Sequence, residues 1–565
     1  MRVIFIFLFA IASINAQENY PQDYFRSPLD IPLLTSGTFG ELRTNHFHSG
    51  IDFRTQKKEG IPVYAAADGY VSRIKISTYG YGKAIYITHP NGYTTVYGHL
   101  LKATPSIESY IKKQHYKEQS FEIDVFPVIG ELMVKKGDVI AYSGNTGGSF
   151  GPHLHYEFRD THTEKIINPF YFGLAKEFED TRPPVIDGLL VYPMDENSNV
   201  NMSKQPVLVN LVLQKDGSYL ASSVKANGTI AFALQTHDLS NNNYGKNGVF
   251  GIHTFLNGNS NFNIKFDTFS FEETRHINNY IDYERFVKTK QKFQKLFIET
   301  PYALSLLTKN QSNGLINIQP NVNYTYRIEV TDFHQNKTII HVPIQFSYVK
   351  PTILPEVKKS NYFIKYKNEH QYVKDSVSVF IPEDTFYKDT SIDFEVTNGV
   401  VKIGLPTLAI KKNITISIPH SSIVEKERSF YFIASKEGAK LSYNKTYLKG
   451  NYFTLYTRNL GEFVLAKDSV APMIKPLNFS EGKWLSTQPV LEVALTDDFS
   501  GIQSFNGYLN NQWILFEYDF KTNKLTHDFS DTIVIEGRNE LKIIVVDNVG
   551  NSTIFETHFF RSQKP

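Results

Sequence analysis

Short runs that alternate apolar and polar residues, broken by Gly, Asn, Asp and Pro, fill most of this chain and confine it to a mainly β architecture. Gly69-Tyr-Val-Ser-Arg-Ile-Lys-Ile76 reads as a strand. Lys83-Ala-Ile-Tyr-Ile-Thr-His89 follows a Gly-Tyr-Gly turn, and Tyr93 to Leu100 returns after the hairpin signal Asn91-Gly92. Gly137 to Ser143 and His153 to Phe158 read as further strands. Aromatic residues make up 14% of the chain, nearly all of them Tyr (34) and Phe (43), which suits strands. One stretch breaks the pattern. Thr104-Pro105-Ser106 precedes Ile107, Tyr110, Ile111 and His115, a helical stripe, so a helix over 104–119 is expected between strands.

With 565 residues, about four domains are expected. Arg182-Pro183-Pro184 marks the first boundary. Beyond it a diverged internal repeat emerges. Pro184-Val185-Ile186 resembles Pro472-Met473-Ile474, and Asp238-Leu-Ser240 resembles Asp498-Phe-Ser500. Ile328-Glu-Val-Thr-Asp332 with Asn336-Lys-Thr338 resembles Ile544-Val-Val-Asp-Asn548 with Asn551-Ser-Thr553. Ordered similarity at several points predicts two related immunoglobulin-like β-sandwich domains, 182–350 and 469–565. The first is longer by a segment near Phe269 to Phe297, where Tyr280, Tyr283, Phe286 and Val287 predict a helical insertion. Residues 351–468, with Val377-Ser-Val-Phe-Ile381 and Ile414-Thr-Ile-Ser-Ile418, predict a third sandwich.

Met1-Arg2, an apolar run from Val3 to Ile14 and the small residue Ala16 have the layout of a secretory signal peptide, residues 1–16. The run is too short to span a membrane, and no later stretch is long enough, so no transmembrane segment is expected in the mature chain. Net charge is +2, which gives no ground for a nucleic-acid partner. Cysteine is absent, which excludes disulfides, thiolate metal sites, a cysteine nucleophile and a lipid-modified N-terminal Cys. Export without cysteine fits a bacterial periplasm, envelope or exterior.

Eight of the 17 histidines fall between His46 and His162. His48-Ser-Gly-Ile-Asp52 puts an imidazole and a carboxylate on one face of an extended chain, with Gly50 allowing close approach. Gly151-Pro-His153-Leu-His155-Tyr-Glu157 puts two imidazoles on one strand face. Tyr97-Gly-His99-Leu100 adds a further histidine at a strand end. The Gly-rich stretch Ser143 to Gly151 is no phosphate cradle, because no Lys-Ser/Thr and no helix follow it. Two histidines and one aspartate with an open position suit a catalytic zinc site, whereas structural zinc usually recruits thiolates. Spacing alone leaves either His153 or His155 as the second imidazole ligand. The two histidines that remain are candidates for moving protons or stabilising an oxyanion.

His48-x-Gly-x-Asp52, Tyr-Gly-His99-Leu, and His153-x-His155 preceded by Ser143-Gly-Asn-Thr-Gly147 and followed by Asn168-Pro169 resemble the lysostaphin/LytM family of zinc metalloendopeptidases. The likeness covers about Gly37 to Phe172. It implies a compact antiparallel β peptidase domain with an open groove, within residues 17–181, and hydrolysis of peptide cross-links in bacterial peptidoglycan. It implies zinc held by His48, Asp52 and His155, with His153 as general base for the attacking water and His99 orienting that water or stabilising the oxyanion. Leu101 to Met133 exceeds the usual connection in this family and is expected to wall or cover the groove. Peptidoglycan peptide stems are the expected partner, with an envelope protein as a candidate partner of the C-terminal sandwiches. The alternative is a non-enzymatic exported binding, activator or scaffold protein that keeps the fold.

Overall fold

A computed structural model describes residues 20–241, 245–308, 312–354, 360–530 and 533–562. The expected signal peptide lies outside them. The alternating segments of the N-terminal region form strands β1 (Thr35–Gly37), β2 (Ile51–Arg54), β3 (Gly69–Ile76), β4 (Lys83–Thr88), β5 (Tyr93–Gly98), β6 (Ile123–Val125) and β7 (His153–Asp160). They pair antiparallel in the order β1-β2-β7-β5-β4-β3-β6. A small sheet of Pro62–Tyr64, Val139–Ser143 and Leu100–Ala103 packs beside it. Ile51, Phe53, Val71, Ile87 and Leu154 lie in their common core. Because β7 runs mid-sheet and is buried along most of its length, each polar side chain it carries must find a partner inside the protein.

The expected helix is α1 (Pro105–Glu118), with Pro at its start and Gln119 in a left-handed conformation at its end. Ile107, Ile111 and His115 are buried, and Tyr110 packs half-buried on the same core. The outer side of this insertion meets the end of the chain. Tyr116 stands edge-on to Trp513, Phe121 lies near Phe505, and Lys83 Nζ reaches both Glu517 oxygens at 2.9 and 2.8 Å.

Past Arg182 the chain is again built of strands. Val224–His237 pairs antiparallel with Val185–Pro193, and its first residues pair parallel with Ile344 to Phe346. One long strand thus passes from one layer to the other and joins them into a continuous ladder. The helical insertion differs in detail from expectation. Ile277–Tyr280 ends where Ile281 turns extended, and Asp282 caps a new helix, Tyr283–Thr289. Two five-stranded sheets follow, then two four-stranded sheets, each pair closing on its own apolar core. Among the described residues no helix is long and apolar enough to cross a membrane.

The expected boundary near residue 182 is not a gap in the packing. Phe39 and Phe47 lie in one core with Phe266, Phe269 and Tyr280 of the first sandwich. Ile166–Ile167 also pairs with Thr268–Phe269, so a β-ladder crosses the seam.

Candidate metal centre and active site

All five residues singled out from the sequence converge. His48 follows the hairpin Leu42–Arg43/His46–Phe47, Asp52 lies on β2, and His155 pairs opposite Asp52 on β7. Asp52 Oδ1 is 3.0 Å from His48 Nε2 and 2.8 Å from His155 Nδ1, and the two nitrogens are 3.2 Å apart. All three side chains are buried.

The other ring nitrogens decide which atoms face that point. A carbonyl only accepts, so His48 Nδ1–H donates to Thr38 O at 2.9 Å, leaving its Nε2 lone pair inward. His155 Nε2–H donates to Glu157 Oε1 at 2.8 Å, leaving Nδ1 inward. Two ring nitrogens and a carboxylate oxygen therefore converge on one point. That donor set suits a cation. Ligands about 2.1 Å from a tetrahedral centre lie roughly 3.4 Å apart, close to the spacing here. Burial opposes the Asp52 charge, yet His48, His153 and His155 outweigh it and hold the carboxyl well below its ordinary range. Burial also opposes a charged His155, but its bonds to Asp52 and Glu157 raise it to about 9, so without an ion Nδ1 shares a proton with Asp52 that a bound cation would displace. Asp52 Oδ2 is tied to Arg43 Nη2 at 3.2 Å.

Glu157 received no role in the sequence reading, although 153, 155 and 157 follow the same two-residue period of β7. It is fully buried, and Ser49 and Tyr81 hydroxyls donate to its Oε1 while Arg159 donates to Oε2 at 2.8 and 2.6 Å. Burial disfavours its charge, but Arg159 and His155 hold it well below the usual carboxylate range. Tyr81 also stacks on His155, with centroids 5.0 Å apart.

His99 and His153 line the other side. His99 sits at the end of β5 with φ 59, a left-handed backbone that turns the chain and aims its ring. Its Nδ1–H donates to Thr146 O at 2.8 Å. His153 Nδ1–H donates to Gly151 O at 2.8 Å, with Ser149 Oγ at 3.1 Å. Both therefore present Nε2 as an acceptor, and His153 Nε2 lies 3.6 Å from Asp52 Oδ1. Burial first, then the like charges of His153 and His155, lowers His99 to about 3. The Gly-rich loop thus serves the site through its carbonyls. It can approach because Gly147 and Gly82, both at positive φ, pack backbone to backbone. On its far side Lys521 Nζ of the last sandwich donates to Asn145 O.

Residues 46–116 and 122–169 match peptidase family M23, and residues 361–468 match the Zu5-like domain. An uncharacterized metalloprotease of Haemophilus influenzae is 40% identical over 158 residues, 27% of this chain and 28% of that protein. The DD-carboxypeptidase/endopeptidase Mpg of Neisseria meningitidis is 36% identical over 118 residues, 21% of each. The chain thus spans well under a third of the length of either relative. Among solved structures, the catalytic domain of the antimicrobial peptidase lysostaphin from Staphylococcus simulans matches at 24% identity, covering 25% of this chain and 92% of that one, with a TM-score of 0.19. The segments that match peptidase family M23 contain His48, Asp52, His99, His153 and His155.

Proposed function

We propose that this protein is an exported zinc endopeptidase that hydrolyses peptide cross-links of bacterial peptidoglycan. The observation that carries the reading is the convergence of His48 Nε2, Asp52 Oδ1 and His155 Nδ1 within 4.8 Å of one another, beside two further histidines with free acceptor nitrogens. His48, Asp52 and His155 would hold the ion. Zinc supplies Lewis acidity there, polarising a peptide carbonyl and acidifying water. The relative from Neisseria meningitidis is named for DD-carboxypeptidase/endopeptidase activity, which supports the substrate class.

The protein's own residues do the rest. His153, fixed by Gly151 O at Nδ1, accepts a proton at Nε2 from the attacking water and passes it to the leaving amine. His99 stays uncharged near neutral pH, so its Nε2 accepts a hydrogen bond. That suits it to orient the attacking water. Donation to an oxyanion would first require its protonation. Glu157 and Thr38 O keep both imidazole ligands in the tautomer that faces the ion.

The test is His155→Ala and His153→Ala, assayed for bound zinc and for muropeptide release from purified sacculi. His155→Ala is expected to lose both. His153→Ala is expected to keep most of the metal and to lose on the order of 10²-fold or more in rate. Full activity in a metal-free His155→Ala protein would overturn the reading.

A further inference from the structure

A second polar cluster lies at the seam between the peptidase domain and the first sandwich, outside the M23 match. Asp180, Asp238 and Asp332 each offer a carboxylate oxygen, all within 4.8 Å of one another. Asp238 is 5% and Asp332 3% exposed. The three line a cavity of about 30 Å³, room for a water or two or a small ion.

The cluster is unbalanced. Asp332 accepts from Asn336 N at 2.9 Å and from Asn336 Nδ2 at 2.7 Å. Asp238 Oδ1, fully enclosed, has no hydrogen-bond partner at all. Among the described residues no lysine or arginine forms an ion pair with any of the three. Burial, then the charges of Asp180 and Asp332, pushes the Asp238 carboxyl up to about 8. Three carboxylates aimed at one cavity, one with an orphaned oxygen, repel one another unless one takes a proton or a cation lies between them.

The arrangement recurs in part. Asp468, Asp497 and Asp547 form a second trio where residues 351–468 meet the last sandwich, with Asp497 one position before Asp498, the counterpart of Asp238. Asp180 and Asp468 stand four residues before Pro184 and Pro472, and Asp332 and Asp547 stand four before Asn336 and Asn551. Asn336 Nδ2 donates to Asp180 O and Asn551 Nδ2 to Asp468 O, at 2.9 and 3.3 Å. Two of the three aspartate positions thus recur in both copies of the repeat, each held by the equivalent asparagine.

We propose that Asp180, Asp238 and Asp332 form a calcium site, distinct from the catalytic centre, that clamps the peptidase domain to the first sandwich. The donors are all carboxylate oxygen, without histidine or cysteine, which selects a hard cation over zinc. The position explains the use. Asp238 bridges Asn247 through paired backbone hydrogen bonds of 2.9 Å. Gly248 N then donates to Thr38 Oγ1 at 2.9 Å, and Thr38 O receives His48 Nδ1. An ion at the aspartates therefore braces the segment that orients a residue of the active site.

The experiment uses the full mature chain, stripped of metal, resupplied with one equivalent of zinc, and titrated with calcium chloride in a calorimeter. Calcium is expected to bind and to raise Tm by roughly 5 °C at saturation. Asp238→Asn should bind one equivalent fewer than the wild type and keep its zinc. Without calcium it should melt at or above the wild type, because a buried carboxyl that must be neutralised in the ion-free protein is gone. Asp180→Asn, at the less buried edge, tests the same loss should Asp238→Asn fail to fold. The proposal is overturned if the wild type takes up no calcium at millimolar concentration, or if the folded variant binds as many equivalents as the wild type.

Discussion

His155 Nε2 donates to Glu157 Oε1 at 2.8 Å while Arg159 grips the other oxygen of the same carboxylate, so the inward face of His155 is set by a charge chain buried behind it. Partners of this kind fix ring orientation and raise ligand basicity. Glu157→Gln should therefore weaken zinc binding by about 10- to 100-fold, read by competition with a chelating dye. It should also lower stability by about 3 kcal/mol, because Arg159 stays buried without its counter-charge. An unchanged zinc affinity would remove Glu157 from this role.

Gly50 stands where β2 runs beside β7. A Cβ there would lie 2.4 Å from Tyr156 O and 3.0 Å from His155 Cε1. Backbone cannot yield cheaply, so Gly50→Ala should cost roughly 1–3 kcal/mol and lower zinc occupancy. Gly151→Ala, whose Cβ meets nothing within 4 Å, is the control and should melt with the wild type. Thermal unfolding and metal analysis of the two variants check the pair.

His89, 2% exposed, is held neutral by burial, which lowers it to about 4. Its unfolded value is 6.5. A depressed histidine contributes stability that is complete above 6.5 and lost as pH falls toward 4, since only the unfolded chain takes the proton in that window. By pH 5 the loss should be about 2 kcal/mol. His89→Gln should show a shallower fall in Tm between pH 7 and pH 5 than the wild type in scanning calorimetry.

Glu517 binds Lys83, whose side chain is 15% exposed, and so ties the last sandwich to the peptidase sheet. Glu517→Lys sets two ammonium groups against each other. Amide exchange over residues 112–122 should quicken, because Tyr116 and Phe121 lose their cover from Trp513 and Phe505. Exchange equal to that of the wild type would show that the apolar contacts alone hold the dock.

The strands, and the convergence of the five candidate residues, were legible because both rest on short-range geometry. Residues two apart share a strand face, which is how His153 and His155 reach one point, and the same period continued would have reached Glu157. The helix was legible from Ile107, Tyr110 and Ile111 and from its proline start. Its neighbour was not, since Tyr116 meets Trp513 across almost 400 residues of chain. Thr38 and Tyr81 act on the histidines through a backbone carbonyl and a hydroxyl, and no local pattern marks either. The internal repeat was visible as ordered matches, and the structure gives some of them a purpose. Thr338 and Thr553 each donate to the carbonyl of the proline that opens their copy, Pro184 and Pro472.

The shared core of Phe39, Phe47, Phe266 and Phe269 sets the smallest transplantable piece of this molecule. The hairpin that ends in His48 rests on Thr274, which accepts from Phe47 N at 2.8 Å, and on the sandwich beneath it. A fragment cut at Arg182 would carry every residue of the family motif, yet leave two phenylalanines in water and one ladder edge bare. Such a fragment would be adhesive before it was catalytic. The smallest unit with a closed core is the N-terminal β domain together with its first sandwich, to be engineered as one.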